Sequence, residues 1–310
     1  MKLREILLLV LGLGLLLLLG LSLRPIAPQT AATPALVGFI NLRDGRVFSS
    51  GIEKYFRQLA DANPQLQVEY FNGQDSAEVQ CREIHALVER EAKAIIVMAT
   101  NPVELIPGIQ EANDAAIPVI TLNNRVFGGT SIYVGSLEYD AGWLQGVYMR
   151  LHLPQNARIF YLKGDEGRDN TQQRLRGFAD ACLMERSDVR VIRCASAKFS
   201  REKAQRLVSA WLQTEPQVDG IVAANDEMAE GALEALTAAG RQQNVLVSGI
   251  DARESTRQLI REGKLAQSVR QDARGQAQGA YDTLLELLAG REARDVLLPF
   301  QSVTQENVDD

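Results

Sequence analysis

The sequence predicts an α/β protein with two doubly wound lobes, each built around a parallel sheet. Apolar segments of strand length alternate with helical patterns from residue 35 to residue 251. The strands are apolar throughout rather than at every second residue, which is typical of parallel sheets that helices cover on both faces. About four strands precede residue 130 and four follow residue 157, and 310 residues are enough for two domains of ordinary size.

Each predicted strand is a continuous apolar run with polar residues at its ends. In chain order the strands are 35–42, 66–71, 94–100, 117–122, 157–164, 189–195, 220–224 and 244–251. Between the strands, apolar residues recur every three or four positions, as on the buried face of a helix. The predicted helices contain Ile52 to Leu59 and Val79 to Val88, and then follow at 102–114, 171–186, 200–213 and 227–239.

The first 24 residues form a hydrophobic segment with a basic start. Lys2 and Arg4 precede an apolar run from Ile6 to Leu23. This pattern is typical of an export signal, but the run is also close to the length that spans a bilayer. We therefore expect residues 1–24 to be a signal peptide or a membrane anchor, and residues 25–35 to be a linker. With either alternative the body of the protein is exported, and the membrane is reached only through the N-terminal segment, residues 6–23.

The charge and the metal-binding residue types argue against several classes of function. The formal net charge is −6 and no basic stripe offsets it, so we expect no nucleic-acid partner. His85 and His152 lie far from any pair of cysteines, so we expect no metal site. Cys81, Cys182 and Cys194 are an odd number, and their spacing leaves open whether Cys182 and Cys194 form a disulfide.

Polar residues gather directly after the predicted strands. In open α/β sheets, ligands bind outside the carboxyl ends of the strands, and clusters from two lobes can meet in one cleft. The clusters are Arg43-Asp44, Asn123-Asn124-Arg125, Asp165 to Arg174, Asn225-Asp226 and Asp251. The sequence therefore predicts a small-molecule site between the two lobes.

Four longer stretches carry a family resemblance. They are AIIVMATNPVELIPGIQEANDAAIPVITLNN, IYVGSLEYDAGWLQG, ANDEMAEGALEALTAAG and GKLAQSVRQDARGQAQGAYDTLLELLAG. In this order, and with SGIDA at 248–252 and LPFQSVTQENV near the end, the chain resembles the periplasmic sugar-binding proteins of the ribose/galactose type. The resemblance covers nearly everything from Val37 to the C-terminus.

This resemblance implies a type I periplasmic binding protein fold, in which a three-crossing hinge joins two lobes that close on a ligand. The implied crossings lie near Gly135–Leu137, Val269–Gln271 and Leu297–Phe300. The N-terminal lobe would then be 36–135 plus 271–297, and the C-terminal lobe would be 136–270 plus 298–310.

The resemblance also implies which residues bind the ligand. By position they are Asn123, Arg168, Asn170, Arg174, Asn225, Asp251 and Gln271, with Phe199 as the aromatic residue that stacks on a sugar ring. The loop after the first strand is shorter than in the family, and Asp44 or Phe48 is expected to replace the ligand-binding side chains of that loop. We expect Asp226 to be the N-cap of the following helix, which leaves Asn225 for the ligand.

These residue types suit a ligand with many hydroxyl groups. Amides donate and accept hydrogen bonds, carboxylates accept them, arginine donates through a planar fork, and an aromatic ring packs against the apolar face of a sugar. Arg168 and Asn170 stand where hexose binders of the family have His and Asp. We therefore expect a more cationic pocket than that of a neutral hexose, which leaves an acidic sugar, a furanose or a non-sugar ligand open.

The expected function is that of an extracytoplasmic solute-binding protein without a cofactor. It would capture a small polar ligand, foremost a monosaccharide, by hinge closure and present it to the permease of an ABC sugar transporter. The alternative is a membrane-anchored sensory receptor for a sugar-like signal of the autoinducer-2 type, which works with a membrane sensor. We do not expect an enzyme, because no Gly-x-Gly-x-x-Gly follows a strand and no Gly-x-Ser-x-Gly is present.

Overall fold

The computed structural model describes residues 33–45 and 47–310. The chain divides into a segment Met1–Pro34 and a compact unit Ala35–Asp310, and all helices and strands given below belong to the second. The signal or anchor predicted at 1–24 lies outside the described residues, as does all but the end of the linker predicted at 25–35. No helix in the described part of the chain is long and apolar enough to cross a membrane.

The first of two sheets has six strands that pair only in parallel. They are β1 (Ala35–Asn41), β2 (Leu66–Asn72), β3 (Ala94–Val97), β4 (Val119–Leu122), β5 (Ile132–Gly135) and β11 (Val296–Leu297). Their order across the sheet is β11-β5-β4-β3-β1-β2.

The second sheet repeats this arrangement later in the chain. Its strands are β6 (Arg158–Lys163), β7 (Arg190–Ser196), β8 (Gly220–Ala223), β9 (Leu246–Asp251), β10 (Gln267–Arg270) and β12 (Gln301–Val303). Their order is β12-β10-β9-β8-β6-β7, and only β12 pairs antiparallel, with β10. The first five strands of each lobe therefore have the same order, which confirms the predicted pair of doubly wound lobes.

Helices cover both faces of each sheet. In chain order they are α1 (Val47–Asp61), α2 (Ala77–Glu89), α3 (Ile106–Asp114), α4 (Glu138–His152), α5 (Asp169–Phe178), α6 (Arg201–Thr214), α7 (Asp226–Ala238), α8 (Glu254–Arg261) and α9 (Ala273–Leu288). A π-helical turn, Ala179–Leu183, follows α5 directly.

Each sheet has one hydrophobic core on either face. In the first lobe, Phe39 packs with Phe56 of α1 and Leu284 of α9, whereas the next residue, Ile40, packs with Ile84 of α2 on the other face. Successive residues of a strand point to opposite faces, so a strand buried on both sides must be apolar at every position. This is why the strands could be found in the sequence as continuous apolar runs.

The chain passes between the sheets three times. β5 ends at Gly135 in the first lobe, and the next helix, α4, packs on the second sheet. β10 ends at Arg270 in the second lobe, and α9 returns to the first, while the last passage joins β11 to β12. These passages agree with the expected three-crossing hinge, and the residue-level lobe boundaries stay a prediction.

Some predicted boundaries differ from the structure. The helix expected at 102–114 begins only at Ile106, because the Asn101 side chain accepts hydrogen bonds from the backbone N–H groups of Val103 (2.9 Å) and Glu104 (3.1 Å) and forms a turn there. The strands β5 and β10 were not among the predicted strands, since each has only four residues and a polar or glycine end. All three cysteines are free, so Cys182 and Cys194 do not pair.

Candidate functional site

The polar clusters of the sequence meet where the strand order of each sheet reverses. In the second lobe this point lies between β6 and β8, and in the first lobe between β1 and β3. Connections leave these neighbouring strands toward opposite faces, which opens a crevice at their carboxyl ends. The loop after β6 ends at Arg168, and Asn170 lies in the first turn of α5, while Asn225 follows β8 after Ala224.

A cavity of about 80 Å³ lies at these strand ends and is called the cleft cavity here. It is lined from both lobes by Leu42, Val47, Phe48, Ser49, Asn123, Asn124, Arg168, Asn170, Arg174, Phe199, Asn225, Glu227, Asp251, Arg253 and Gln271. Nine of the ten candidate residues of the sequence analysis are in this lining. That they contact a ligand stays a prediction.

Asp44 is the candidate residue that the structure does not bring into the cavity. It is exposed, and its carboxylate accepts a hydrogen bond from Asn72 Nδ2 at 2.7 Å at the end of β2. Phe48, in the first turn of α1, does line the cavity and also packs against the core of the first lobe. Of the two residues expected to replace the longer loop of the family, only Phe48 is therefore in position.

Arg174 is held rigidly in the wall of the cavity. Its Nε donates to Glu138 Oε2 at 2.7 Å and its Nη1 donates to the carbonyl oxygen of Ala224 at 2.5 Å. Burial opposes its positive charge, but the carboxylates of Glu138 and Asp251 outweigh this effect and raise the pKa of Arg174 above its usual range. The guanidinium group is therefore charged and fixed before any ligand arrives.

Two glycines bring Glu138 and Arg174 together. A Cβ on Gly142 of α4 would lie 1.9 Å from the carbonyl oxygen of Arg174, and a Cβ on Gly177 of α5 would lie 2.1 Å from that of Tyr139. Helices α4 and α5 thus approach more closely at these positions than any larger residue would allow. Because Glu138 begins α4 and Arg174 lies within α5, this close contact sets the distance between the two charged groups.

Arg168 joins the two lobes. Its Nη2 donates to Asp75 Oδ1 at 2.7 Å, and Asp75 follows β2 in the first lobe while Arg168 follows β6 in the second. Arg43 of the first lobe also lies 3.5 Å from the Asp75 carboxylate. The side chain of Arg168 is only 7% exposed, so this ion pair is largely shielded from water.

The helix cap expected at Asp226 is formed by Asn225 instead. Asn225, not Asp226, is the N-cap of α7, and its Oδ1 accepts from the backbone N–H of Met228 at 3.1 Å. Asp226 is fully buried and accepts hydrogen bonds from Ser268 Oγ (2.6 Å) and the backbone N–H of Arg253 (2.9 Å). The prediction was wrong because both residues are good caps, and the partners of Asp226 come from strands that are distant in sequence.

Asn225 nevertheless lines the cavity while it caps the helix. Its Oδ1 is used by the cap, but its Nδ2 donates to no other described residue. One amide side chain can serve both purposes, since its oxygen and nitrogen are separate hydrogen-bonding groups.

Asp251 is a strained residue at the end of β9. Its φ of 123° lies in a region that favours glycine, and no described residue donates a hydrogen bond to its carboxylate. Burial raises its pKa well above the ordinary value, and the nearby Asp226 adds to this effect, while Arg174 and Arg253 oppose it. Strain and a buried acceptor without a partner are typical of functional sites rather than of purely structural ones.

Three amide side chains in the lining differ in how many of their hydrogen-bonding groups have a partner among the described residues. Asn123 has a left-handed φ of 65°, and its Nδ2 donates to Gln276 Oε1 at 3.2 Å. Asn170 Oδ1 and Gln271 Nε2 are buried and have no hydrogen-bond partner within residues 33–45 and 47–310. An acceptor and a donor are thus available to the cavity from the second lobe and from the second crossing.

Phe199 forms part of the apolar wall of the cavity. Its backbone has a left-handed φ of 56°, which turns the loop after β7 toward the site. The ring lies close over Gly164, where a Cβ would come within 2.0 Å of Phe199 Cζ. A side chain at residue 164 would therefore push the ring out of position.

Two charged residues of the lining, Glu227 and Arg253, were not among the candidates predicted from the sequence. They form an ion pair with 3.6 Å between Arg253 Nη1 and Glu227 Oε1. Glu227 is the third polar residue after β8, and Arg253 comes two positions after Asp251, so both lay within reach of the clusters that had been identified. Their pairing depends on the packing of α7 against the end of β9, which the sequence does not reveal.

The expected excess of positive charge is not what the structure shows. Arg168, Arg174 and Arg253 are each paired with a carboxylate, from Asp75, Glu138 and Glu227 respectively. The expectation rested on Arg168 and Asn170 in place of His and Asp, and did not include the acids that other elements bring to the arginines. Within residues 33–45 and 47–310, no three His, Cys, Asp or Glu side chains are grouped as a metal ion would require.

Two lobes of equal strand order, with a polar cleft at the carboxyl ends of both sheets, define the type I periplasmic binding protein class. The family described as the periplasmic binding protein domain matches residues 37–292. The chain therefore belongs to this family.

Individual relatives are similar over most of the chain. A D-ribose/D-allose-binding protein of Pseudomonas aeruginosa is 29% identical over 219 residues, which is 68% of this chain and 68% of that protein. A ribose import binding protein of Bacillus subtilis is 25% identical over 257 residues, with 82% of this chain and 81% of that protein covered. An ABC transporter solute binding protein from Bacillus halodurans, solved with bound myo-inositol, is 29% identical with a TM-score of 0.83 and covers 90% of this chain and 98% of its own.

Proposed function

We propose that this protein captures an uncharged polyol, foremost a monosaccharide, in the cleft cavity and presents it to the permease of an ABC transporter. One observation carries the proposal. Four lining residues carry hydrogen-bonding groups without a partner among the described residues: the Asp251 carboxylate, Asn170 Oδ1, Gln271 Nε2 and Asn225 Nδ2. They are two acceptors and two donors, which is the combination that hydroxyl groups can satisfy.

The charges of the site support an uncharged ligand. The arginines of the lining have carboxylate partners, so an acidic sugar would find no unpaired cation there. Phe199 and Phe48 offer apolar surfaces for the C–H faces of a ring.

The relatives support the transport role. Proteins similar to this chain are named for the binding or import of ribose and allose, and one was solved with myo-inositol as an ABC transporter component. We propose that the chain works in the same way outside the cytoplasmic membrane, by binding without turnover. Whether residues 6–23 anchor it there, as the sensory alternative requires, is a separate prediction on residues outside the described part of the chain.

Replacement of Gln271 by Ala tests the site. Gln271 Nε2 has no hydrogen-bond partner among the described residues, so its loss should leave stability nearly unchanged, while a ligand hydroxyl loses its donor. Isothermal titration of the full-length chain, with detergent in all samples, should show affinity for at least one of ribose, allose and myo-inositol. The affinity should fall by about tenfold in Gln271→Ala.

The matched control is Gln172→Ala, because Gln172 is an exposed glutamine of α5 outside the cavity lining. It should bind like the unmodified chain. Binding of none of these compounds or of other neutral polyols, or equal affinity in both variants, would contradict the proposed site. Steady chemical conversion of a bound compound would contradict binding without turnover.

A further inference from the structure

A second and larger cavity lies beside the cleft cavity. It has a volume of about 230 Å³ and is called the hinge-side cavity, because the first crossing contributes Ser136 and Glu138 to its wall. The wall also includes Thr100 and Phe127 of the first lobe and Gln173 of the second lobe. The cleft cavity has a volume of only about 80 Å³.

The two cavities are neighbouring parts of one cleft. Asn123, Asn124, Arg168 and Asn170 line both of them. Pockets for small molecules usually have volumes of roughly 300 Å³ or more. The cleft cavity alone is far below this range, whereas the two together approach its lower end. A ligand that fills the available space would therefore extend into both.

The wall of the hinge-side cavity has several oxygens without hydrogen-bond partners. They are Thr100 Oγ1, Ser136 Oγ, Glu138 Oε1 and Asn170 Oδ1, all of them buried. Ser136 is 2% exposed and Glu138 is 8% exposed. A buried polar group without a partner is unfavourable, so four such groups in one wall, none with a partner in the described part of the chain, indicate that something else satisfies them.

Glu138 connects the two cavities chemically. Its Oε2 accepts from Arg174, which lines the cleft cavity, and its Oε1 has no partner on the hinge side. Carboxylate and amide oxygens accept hydrogen bonds, and the two hydroxyl groups can donate or accept. The hinge-side cavity is therefore rich in acceptors and suits a group with several hydroxyl donors.

Aromatic side chains provide the apolar part of the same wall. Phe127 is 58% exposed and Tyr139 also lines the wall, whereas Tyr133 is only 3% exposed and has the guanidinium group of Arg125 over its ring at 4.0 Å. Rings of this kind pack against the apolar C–H faces of sugars. The cavity thus offers both kinds of surface that a second sugar-like ring requires.

We propose that the ligand of this protein is a glycoside with two rings. Its first ring occupies the cleft cavity, and its second, hydroxylated ring occupies the hinge-side cavity, where it donates to Glu138 Oε1 and Asn170 Oδ1. This inference rests on the proposed function, and it extends the proposed ligand from a single monosaccharide ring to a two-ring compound that contains such a ring.

The test compares single rings with two-ring compounds that contain them. Isothermal titration of the full-length chain uses galactose, glucose and myo-inositol, and then melibiose, cellobiose and galactinol. We expect at least one two-ring compound to bind about tenfold or more tightly than each of its component rings, since two added hydrogen bonds contribute about 1–3 kcal/mol.

Substitutions in the hinge-side cavity test whether the tighter binding of two-ring compounds arises there. Gln173→Trp narrows the hinge-side cavity without touching the lining of the cleft cavity, and should remove the advantage of the two-ring compound while single rings bind as before. The neighbouring Gln172→Trp is on the exposed side of α5 and should change neither. Ser136→Ala removes one buried hydroxyl group with little change in volume, and should reduce two-ring binding by about fivefold.

The outcomes separate this inference from the proposed function. If single rings bind and no two-ring compound binds more tightly, or if Gln173→Trp weakens both classes equally, the second subsite does not exist and the proposed function still holds. If neither class binds, the proposed function fails and the subsite fails with it.

Discussion

Asp226 shows how one buried carboxylate makes stability depend on pH. Burial raises its pKa from 3.8 to about 6, against the hydrogen bonds from Ser268 and Arg253 that lower it. Between these two values the folded chain keeps a proton that the unfolded chain has lost. The contribution of Asp226 to the free energy of unfolding is therefore fully present below about pH 4 and is lost as the pH rises through about 6.

We predict that Asp226→Asn removes this part of the pH dependence. The free energy of unfolding of the unmodified chain should contain a decline on the order of 2–3 kcal/mol between pH 4 and pH 6 from this residue. Urea denaturation at several pH values measures it. Asp114→Asn, at an exposed position, should keep the original slope. An unchanged slope in Asp226→Asn would show that the carboxyl group does not titrate in this window.

At the scale of elements, the contact between α4 and α5 connects packing to the site. Gly142 and Gly177 allow the helices to approach closely, and the Glu138–Arg174 ion pair lies between them. A methyl group at either glycine would meet backbone atoms, which cannot rotate away as a side chain can. The position of Arg174, a predicted binding residue, thus depends on two glycines that lie outside the cavity lining.

We predict that Gly177→Ala destabilises the protein by about 1–3 kcal/mol, because the helices must separate. Urea denaturation at neutral pH measures the change. Gly51→Ala is the matched control, since Gly51 lies in helix α1 and a Cβ there meets nothing within 4 Å. It should be neutral or stabilising by about 0.5–1 kcal/mol, as expected for Gly→Ala in a helix. Equal effects of the two substitutions would argue against the close contact.

At the scale of the whole molecule, the Arg168–Asp75 ion pair favours the closed arrangement of the lobes. Its members belong to different lobes, so the pair would separate in an open form, whereas the contact of Asp75 with Arg43 lies within the first lobe. A ligand that binds only the closed form has an apparent affinity proportional to the population of that form. We therefore expect the ion pair to affect the apparent ligand affinity, although Asp75 does not line the cleft cavity.

We predict that Asp75→Asn weakens ligand binding about five- to twentyfold, because the loss of a partly buried ion pair lowers the population of the closed form. Titration calorimetry measures the affinity, and small-angle X-ray scattering should show a larger radius of gyration without ligand than the unmodified chain has. Glu78→Gln, at an exposed position in the same lobe, should change neither quantity. Reduced affinity in both variants would point to net charge rather than to the ion pair.

Much of the site could be predicted because it depends on local chain order. Asn123, Asn225 and Asp251 lie at or just beyond the carboxyl ends of apolar strands, and parallel strands bring these ends to one edge. The roles of these side chains were harder to predict. Asn225 rather than Asp226 caps α7, since the alternative partners of Asp226 are Ser268 and the backbone of Arg253, which folding brings from elsewhere.

The sequence by itself determined the two-lobed α/β fold, because apolar runs and helical periodicity are properties of neighbouring residues. It also determined which loops face the cleft. Only the tertiary structure decided the charge of the site, since each arginine is neutralised by an acid from a different element, such as Asp75 for Arg168. It likewise decided that a larger cavity adjoins the first. Electrostatic pairing and cavity volume depend on distances between segments remote in sequence, and packing alone sets those distances.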